Sequence, residues 1–228
     1  MLSSHGDATR YFVTFLDNHD VKERIRFVDP ANPGRYDDQV TLGIACLLCL
    51  PGIPCLYYGT EQGLHGAGSD PAVREALWGG PGFPQNAPFY KQISQIAAVR
   101  RASPALRYGR FYFRPISGDR QHFSVSTFLN GTLAFSRILM DQEIVIAANT
   151  DPVNPCAVYV ILDNTLTKPG DSLRILYSNK QRPQAPNAVV QLAAGSVSVQ
   201  ETDGSTGTGP VNCAQVALAP LEVQILSR

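Results

Sequence analysis

An α/β region followed by an all-β region is the fold class that the sequence predicts, on three observations. Residues 11–103 alternate strand-like apolar runs with helical runs. Residues 108–228 carry many short β-type runs punctuated by Gly, Pro, Asn and Asp. Between them stands Ser103-Pro104, a step that disfavours continued helix. The expected units are 1–105 and 106–228.

Within the first unit, Tyr11–Leu16 (YFVTFL) is a continuous aromatic and β-branched run. It reads as a strand buried on both faces, as in a parallel sheet. The polar cluster Asp17-Asn18-His19-Asp20 follows at once. Asp37 and Asp38 open a helix to about Leu50, since carboxylates suit the positive end of the helix dipole. Pro51-Gly52 stops it. Ile53–Tyr58 (IPCLYY) is a second short strand, closed by Gly59, and a Gly-rich loop fills roughly residues 63–88. Phe89–Arg101 places Tyr90, Ile93, Ile96 and Ala97 at helical spacing. Strand, helix, strand, helix is the grammar of parallel βα units. Two such strands alone cannot cover their own faces and edges.

In the second unit, strands are expected at Arg110–Pro115, Ser124–Phe128, Thr132–Arg137, Glu143–Asn149, Cys156–Leu162, Leu173–Ser178, Val197–Gln200, Val211–Leu218 and Leu221–Leu226. Ser117-Gly118-Asp119, Asn130-Gly131, Asp151-Pro152 and Pro169-Gly170 are the turn signals between them. This spacing predicts an antiparallel sandwich. Gly204–Gly209 reads as a flexible hairpin tip.

Composition narrows the function classes. The 228 residues are 44% hydrophobic, with 19 basic and 19 acidic side chains. Zero net charge argues against a nucleic-acid binder or a polybasic membrane-surface protein. The longest apolar stretch, Leu42–Leu56, is interrupted by Pro51, Gly52 and Pro54 and is too short to span a bilayer. The N-terminus lacks the pattern of a signal peptide, which favours a cytoplasmic location. Cys46, Cys49, Cys55, Cys156 and Cys213 do not form a disulfide framework, although Cys156 with Cys213 stays open as a pair. Cys46 and Cys49 lie in an apolar run without further ligands at metal spacing, so they read as structural thiols. No cofactor and no metal is expected.

The polar cluster carries the chemistry. Phe15-Leu16-Asp17-Asn18-His19-Asp20 resembles the fourth conserved region of glycoside hydrolase family 13, the α-amylase family. Asp37-Asp38-Gln39, then Leu50–Pro54 with Tyr57–Gln62, resemble the family's following helix, eighth strand and exit loop. Arg74-Glu75 and Leu77-Trp78-Gly79 resemble a later loop of some members, and Pro220-Leu221-Glu222 the closing strand of the C-terminal domain. The resemblance covers nearly the whole chain. D-N-H-D and G-I-P-x-x-Y-Y-G-x-E, in this order and separation, form a strong joint signal.

The resemblance implies that residues 1–105 are the seventh and eighth βα units of a TIM barrel and residues 106–228 the C-terminal β-sandwich. TIM barrels place active-site groups at the C-terminal ends of their strands. Asp20 then matches the family's transition-state-stabilising carboxylate. His19 matches the histidine that binds the same sugar's hydroxyls. Glu61, Arg74 and Tyr58 are further candidates for lining the sugar site. Glu61 and Arg74 equally fit loop-ordering salt bridges, and Tyr57 and Tyr58 divide core and cleft roles in an order left open. Asp17 suits a structural role beside an arginine. The alternative for the whole cluster is a simple turn cap, since Asn and Asp favour turns.

The family also uses a nucleophilic Asp and an acid/base Glu, and neither has a match in this sequence. A retaining pair stands about 5–5.5 Å apart. The expected protein is therefore an α-glucan hydrolase piece, inactive or weakly active alone. Two alternatives are an active amylase completed by oligomerisation or a missing chain, and a non-catalytic glucan-binding module. Its implied partners are an α-glucan or maltodextrin and, through the exposed barrel surface, copies of itself.

Overall fold

The computed structural model describes residues 8–78, 80, 82–125, 131–181 and 185–228. The chain divides into two compact units, Met1–Ala102 and Ser103–Arg228.

In the N-terminal unit, β1 (Val13–Thr14) pairs in parallel with β2 (Ile53–Pro54), with Val13 opposite Ile53 and Thr14 opposite Pro54. Helix α1 (Asp37–Cys49) lies between them in sequence, so the three form a strand–helix–strand unit. The α1 face carrying Val40, Ile44, Ala45, Leu47 and Leu48 is buried. Helix α3 (Pro88–Ala102) packs against α1 and buries Phe89, Ile93 and Ile96. Arg100 of α3 donates to the carbonyl of Leu48, which the end of α1 leaves without a helical partner. Gly52 makes the turn into β2. Its φ is +102°, and a Cβ there would sit 2.6 Å from the Phe12 carbonyl oxygen. That oxygen accepts the Ile53 N–H at 2.8 Å, so only glycine lets the chains approach this closely.

The strands depart from expectation. Tyr11–Leu16 was expected as a strand buried on both faces, yet only two of its residues pair, and Val13 is 56% exposed. Ile53, its partner, is 52% exposed. Strands that share a parallel register share faces, so Val13, Phe15, Ile53 and Cys55 line one exposed face. On the other face Leu16 reaches towards Gly43 of α1. A two-stranded sheet has one helix-covered face and nothing to cover the second.

The C-terminal unit opens with α4 (Pro104–Tyr108) and holds one sheet. Its central hairpin is β6 (Thr132–Leu139) with β7 (Gln142–Asn149), and β7 pairs with β14 (Val223–Ser227). Strand β14 pairs with β9 (Ser172–Ser178), and β9 with β10 (Asn187–Leu192) through two residue pairs only. Strand β10 then pairs with β13 (Val211–Leu218), and β13 with β8 (Cys156–Ile161). Beyond β8 lie β4 (Ile116–Ser117), β5 (His122–Ser124), β11 (Ser198–Gln200) and β12 (Thr206–Gly207); β3 (Arg110–Phe113) closes the other edge.

The expected two-sheet sandwich is thus a single curled sheet. One core cluster joins Ala134, Val145, Ala147 and Leu226 with Val158, Val160, Ala214, Val216 and Leu218. These strands are far apart in sheet order, so their meeting requires the sheet to fold over, with the short β9–β10 pairing as the bend. A second cluster, Phe123, Ile161, Val197, Val199, Val211 and Cys213, covers the other face of β8 and β13. The pairing is antiparallel except for β5 with β11. Gly204–Gly209 was expected as a flexible tip, but Thr206 and Gly207 pair with β11. Most of the expected strand Ser124–Phe128 and part of the Asn130-Gly131 turn lie outside the described residues.

Cys156 and Cys213 are free. The β8–β13 register sets Cys156 opposite Leu218 and Cys213 opposite Ile161, at opposite ends of the pair, too far apart for a disulfide.

Candidate active site

The site builds outwards from the C-terminal end of β1. Because β1 and β2 run parallel, the segments leaving them emerge at the same end of the pair. The segment after β1 turns sharply at residues 17–20. Asn18 Oδ1 accepts the Asp20 N–H at 2.7 Å, so asparagine does cap this turn. Asp17 points inward and is buried. Its Oδ2 accepts the Ile25 N–H at 3.2 Å. Desolvation raises its pKa above the usual carboxylate value, while that bond and the nearby Arg24 charge pull the other way. Anchoring by Asp17 and Asn18 leaves the next two side chains outside: His19 and Asp20 are 63% and 70% exposed. His19 Nε2 lies 3.3 Å from Asp20 Oδ1.

Arg74 reaches this turn from the loop after β2. It ends the short helix α2 (Asp70–Val73). Its Nε donates to the His19 carbonyl at 3.1 Å, its Nη2 lies 3.7 Å from Asp20 Oδ1, and the same nitrogen donates to Asp70 Oδ2 at 3.1 Å. Arg74 thus forms ion pairs with Asp70 and with Asp20 of the motif.

Beneath the turn lies a residue that the motif reading missed. The Arg24 side chain is wholly buried, with Nε 2.8 Å from Glu75 Oε2. It donates through Nη1 to the Tyr58 carbonyl at 2.8 Å and lies over the Tyr57 ring at 4.4 Å. A buried guanidinium needs such partners to offset its desolvation. Glu75 Oε2 also accepts the Gly66 N–H. Arg24 thereby ties the segment after β1 to both ends of the loop after β2. An arginine seven residues past Asp17 with a glutamate fifty positions on gives no local signal, so the sequence could not mark it.

Tyr57 and Tyr58 meet edge to face at 4.6 Å. Tyr57 donates its hydroxyl to the Val73 carbonyl at 3.3 Å, and burial with the Tyr58 hydroxyl beside it raises its pKa. Tyr58 is the exposed one of the pair. Glu61 stands on the single-turn 3-10 helix Thr60–Gln62, half-buried, and no ion pair joins it to another described residue.

Chemically, the arrangement offers an exposed carboxylate beside an imidazole and a guanidinium. These suit hydrogen bonding to vicinal hydroxyls and stabilisation of nearby positive charge. Among the described residues, no group of three or more His, Cys, Asp or Glu is placed to hold a metal ion. No described helix is long and apolar enough to cross a membrane. Burial pushes the pKa of the Cys46 thiol of α1 up to about 12, which disfavours the nucleophilic thiolate. A separate cavity of about 260 Å³ in the C-terminal unit, lined by Asp141, Glu143, Thr167, Arg174 and Arg228, contains none of the motif residues.

No family model matches the chain. It is 38% identical over 107 residues to the cyclomaltodextrin glucanotransferase of Geobacillus stearothermophilus, a stretch that is 47% of this chain and 14% of that enzyme. Over 107 residues it is also 38% identical to an α-amylase of Niallia circulans, covering 47% of this chain and 18% of the relative. The chain thus spans less than a fifth of these relatives. In structure it resembles the gamma-CGTase of alkalophilic Bacillus clarkii, with a TM-score of 0.62 at 23% identity over 95% of this chain and 26% of that one. Over about half of its length the chain thus has homologues among the α-amylases and cyclomaltodextrin glucanotransferases of glycoside hydrolase family 13, and it shares the fold of such a protein over nearly all of it.

Proposed function

We propose that the chain supplies the transition-state-stabilising part of an α-glucan site. Residues 1–105 would be the seventh and eighth βα units of a barrel, and residues 106–228 the domain that follows it. The observation that carries this reading is the exposed His19–Asp20 pair, held by Arg74 where the segments leaving β1 and β2 emerge. In glycoside hydrolysis positive charge develops on the sugar ring, and hydrogen bonds to its hydroxyls strengthen in the transition state. Asp20 would stabilise that charge while His19 holds the hydroxyls. Tyr58 and Glu61 would extend the sugar contacts. Nucleophile and acid/base have no counterpart among the motifs of this chain, so the chain alone binds α-glucan without turning it over.

Calorimetric titration with maltoheptaose tests this. Binding should weaken about tenfold in His19→Ala, the loss of one hydrogen bond to the sugar. A protein that binds no α-glucan overturns the proposal. Starch hydrolysis abolished by Asp20→Ala would instead favour an assembled, active enzyme.

One observation favours that second reading. Val13, Phe15 and Ile53 leave an apolar face exposed on β1 and β2, and open strands invite pairing with another chain. Two copies joined through it would form a homo-oligomer. Light scattering showing only a monomer of 24.7 kDa would rule this out.

A further inference from the structure

Trp78 is the only tryptophan of the chain, and it is 85% exposed. Tryptophan carries the largest apolar surface of any side chain, so full display in water calls for a reason. The display is built rather than accidental. Val73 and Leu77, on its N-terminal side, are both buried and anchor the segment. The Leu77 carbonyl accepts the Gly82 N–H at 2.8 Å and the Gly80 N–H at 3.4 Å, which holds the backbone just before Trp78. Phe83, just past Gly82, is also exposed. Four residues before Trp78, Arg74 is fastened to the His19 carbonyl and lies beside the Asp20 carboxylate. One short segment therefore carries an exposed indole ring and, four residues earlier, the arginine that contacts the His19–Asp20 turn.

A pyranose ring has this same division: hydroxyls around its rim and C–H groups on its faces. We propose that Trp78 is a stacking platform for a glucose unit of an α-glucan whose neighbouring units contact His19 and Asp20. The proposal rests on the glucan reading of the His19–Asp20 turn and adds to it a binding position and a reason for the exposed ring. A second copy of the chain is the competing occupant of Trp78.

The single tryptophan makes the test direct. Fluorescence of the full chain is followed during titration with maltoheptaose, with cellohexaose as the β-linked control. A saturable blue shift and protection from acrylamide quenching with maltoheptaose alone are expected. Affinity electrophoresis in glycogen should show Trp78→Ala about tenfold weaker and Trp78→Phe nearly unchanged. Because the ring is exposed, both variants should keep the wild-type circular dichroism. Unshifted fluorescence with Trp78→Ala binding as wild type, while His19→Ala loses affinity, overturns the platform and leaves the glucan site standing. Absence of any maltoheptaose or glycogen binding overturns both. A blue shift that follows protein concentration without sugar assigns Trp78 to self-association and overturns the platform.

Discussion

The two units solve the problem of burying strands in opposite ways. In the C-terminal unit, β7, β13 and β14 have partners along both edges, and Val145, Ile146, Val216 and Ile225 are fully buried. In the N-terminal unit, β1 and β2 pair over two residues and leave aromatic and β-branched side chains in water. Polar groups divide less cleanly, since Asn187 Nδ2 in the C-terminal unit is also buried without a hydrogen-bond partner. Glu143 in the C-terminal unit accepts from Arg114, Ser136 and the Asp163 N–H, a satisfied buried network. Around β1 and β2, Thr14 Oγ1, Thr60 Oγ1 and Gln62 Oε1 are buried without hydrogen-bond partners. The chemistry-bearing motif thus sits on the unit with less to hold it, while most of the self-contained packing lies elsewhere. Fold stability and site chemistry are separable here, and mutations should report on them separately.

The largest expected effect is in the C-terminal unit. Glu143→Ala removes the carboxylate partner of the part-buried Arg114 guanidinium and the acceptor for Ser136 and the Asp163 N–H, and should cost about 3 kcal/mol in urea unfolding. A loss within about 0.5 kcal/mol would show that the network is relaxed and that the contrast between units is overstated. Amide exchange gives the next test. The β7, β13 and β14 amides should exchange orders of magnitude more slowly than those of Ile53 and Cys55, although both of these are hydrogen-bonded. Equal protection would mean that the N-terminal unit is as cooperative as its neighbour.

Acid should act on the two units in opposite senses. Asp17 has a raised pKa from desolvation, so its ionised form opposes folding. Its contribution improves as pH falls through the raised value towards the ordinary aspartate value of 3.8. Asp151 in the C-terminal unit has a lowered pKa, chiefly from the Asn154 backbone bond. Asp163 is also lowered: burial pushes it up, but the Thr165 and Leu166 bonds outweigh that. Both contribute stability above the ordinary carboxylate range and lose it as pH falls below 3.8. The difference in Tm between Asp17→Asn and wild type should therefore shrink on acidification, whereas that of Asp151→Asn should shrink because wild type itself weakens. A Tm difference for Asp17→Asn that grows towards low pH would reverse the assignment.

The smallest effect concerns Val13→Lys. On a solvated face it should change stability by about 0.5 kcal/mol or less. A large loss accompanied by dissociation in light scattering would show that a partner copy covers that face.

Much of this was written locally. Alternating apolar runs, Asp37-Asp38 and Pro51-Gly52 fixed the bounds of α1, because the helix dipole and proline sterics act within a few residues. Asp17-Asn18-His19-Asp20 declared a polar turn after an apolar run, and its resemblance to a known motif pointed to the family. Only the tertiary structure decided what depends on distant partners. Strand burial was misjudged at Tyr11–Leu16 because an apolar sequence states a preference for burial but cannot supply the covering surface. Curling of twelve strands into one sheet depends on the two-pair β9–β10 joint, and β10 itself passed unnoticed in a polar-flanked stretch. The hold of Arg74 on His19 and Asp20, and the burial of Arg24 among Tyr57, Tyr58 and Glu75, join residues some thirty to fifty-five positions apart. Electrostatic and packing energies depend on separation in space, and no local pattern in the chain records it.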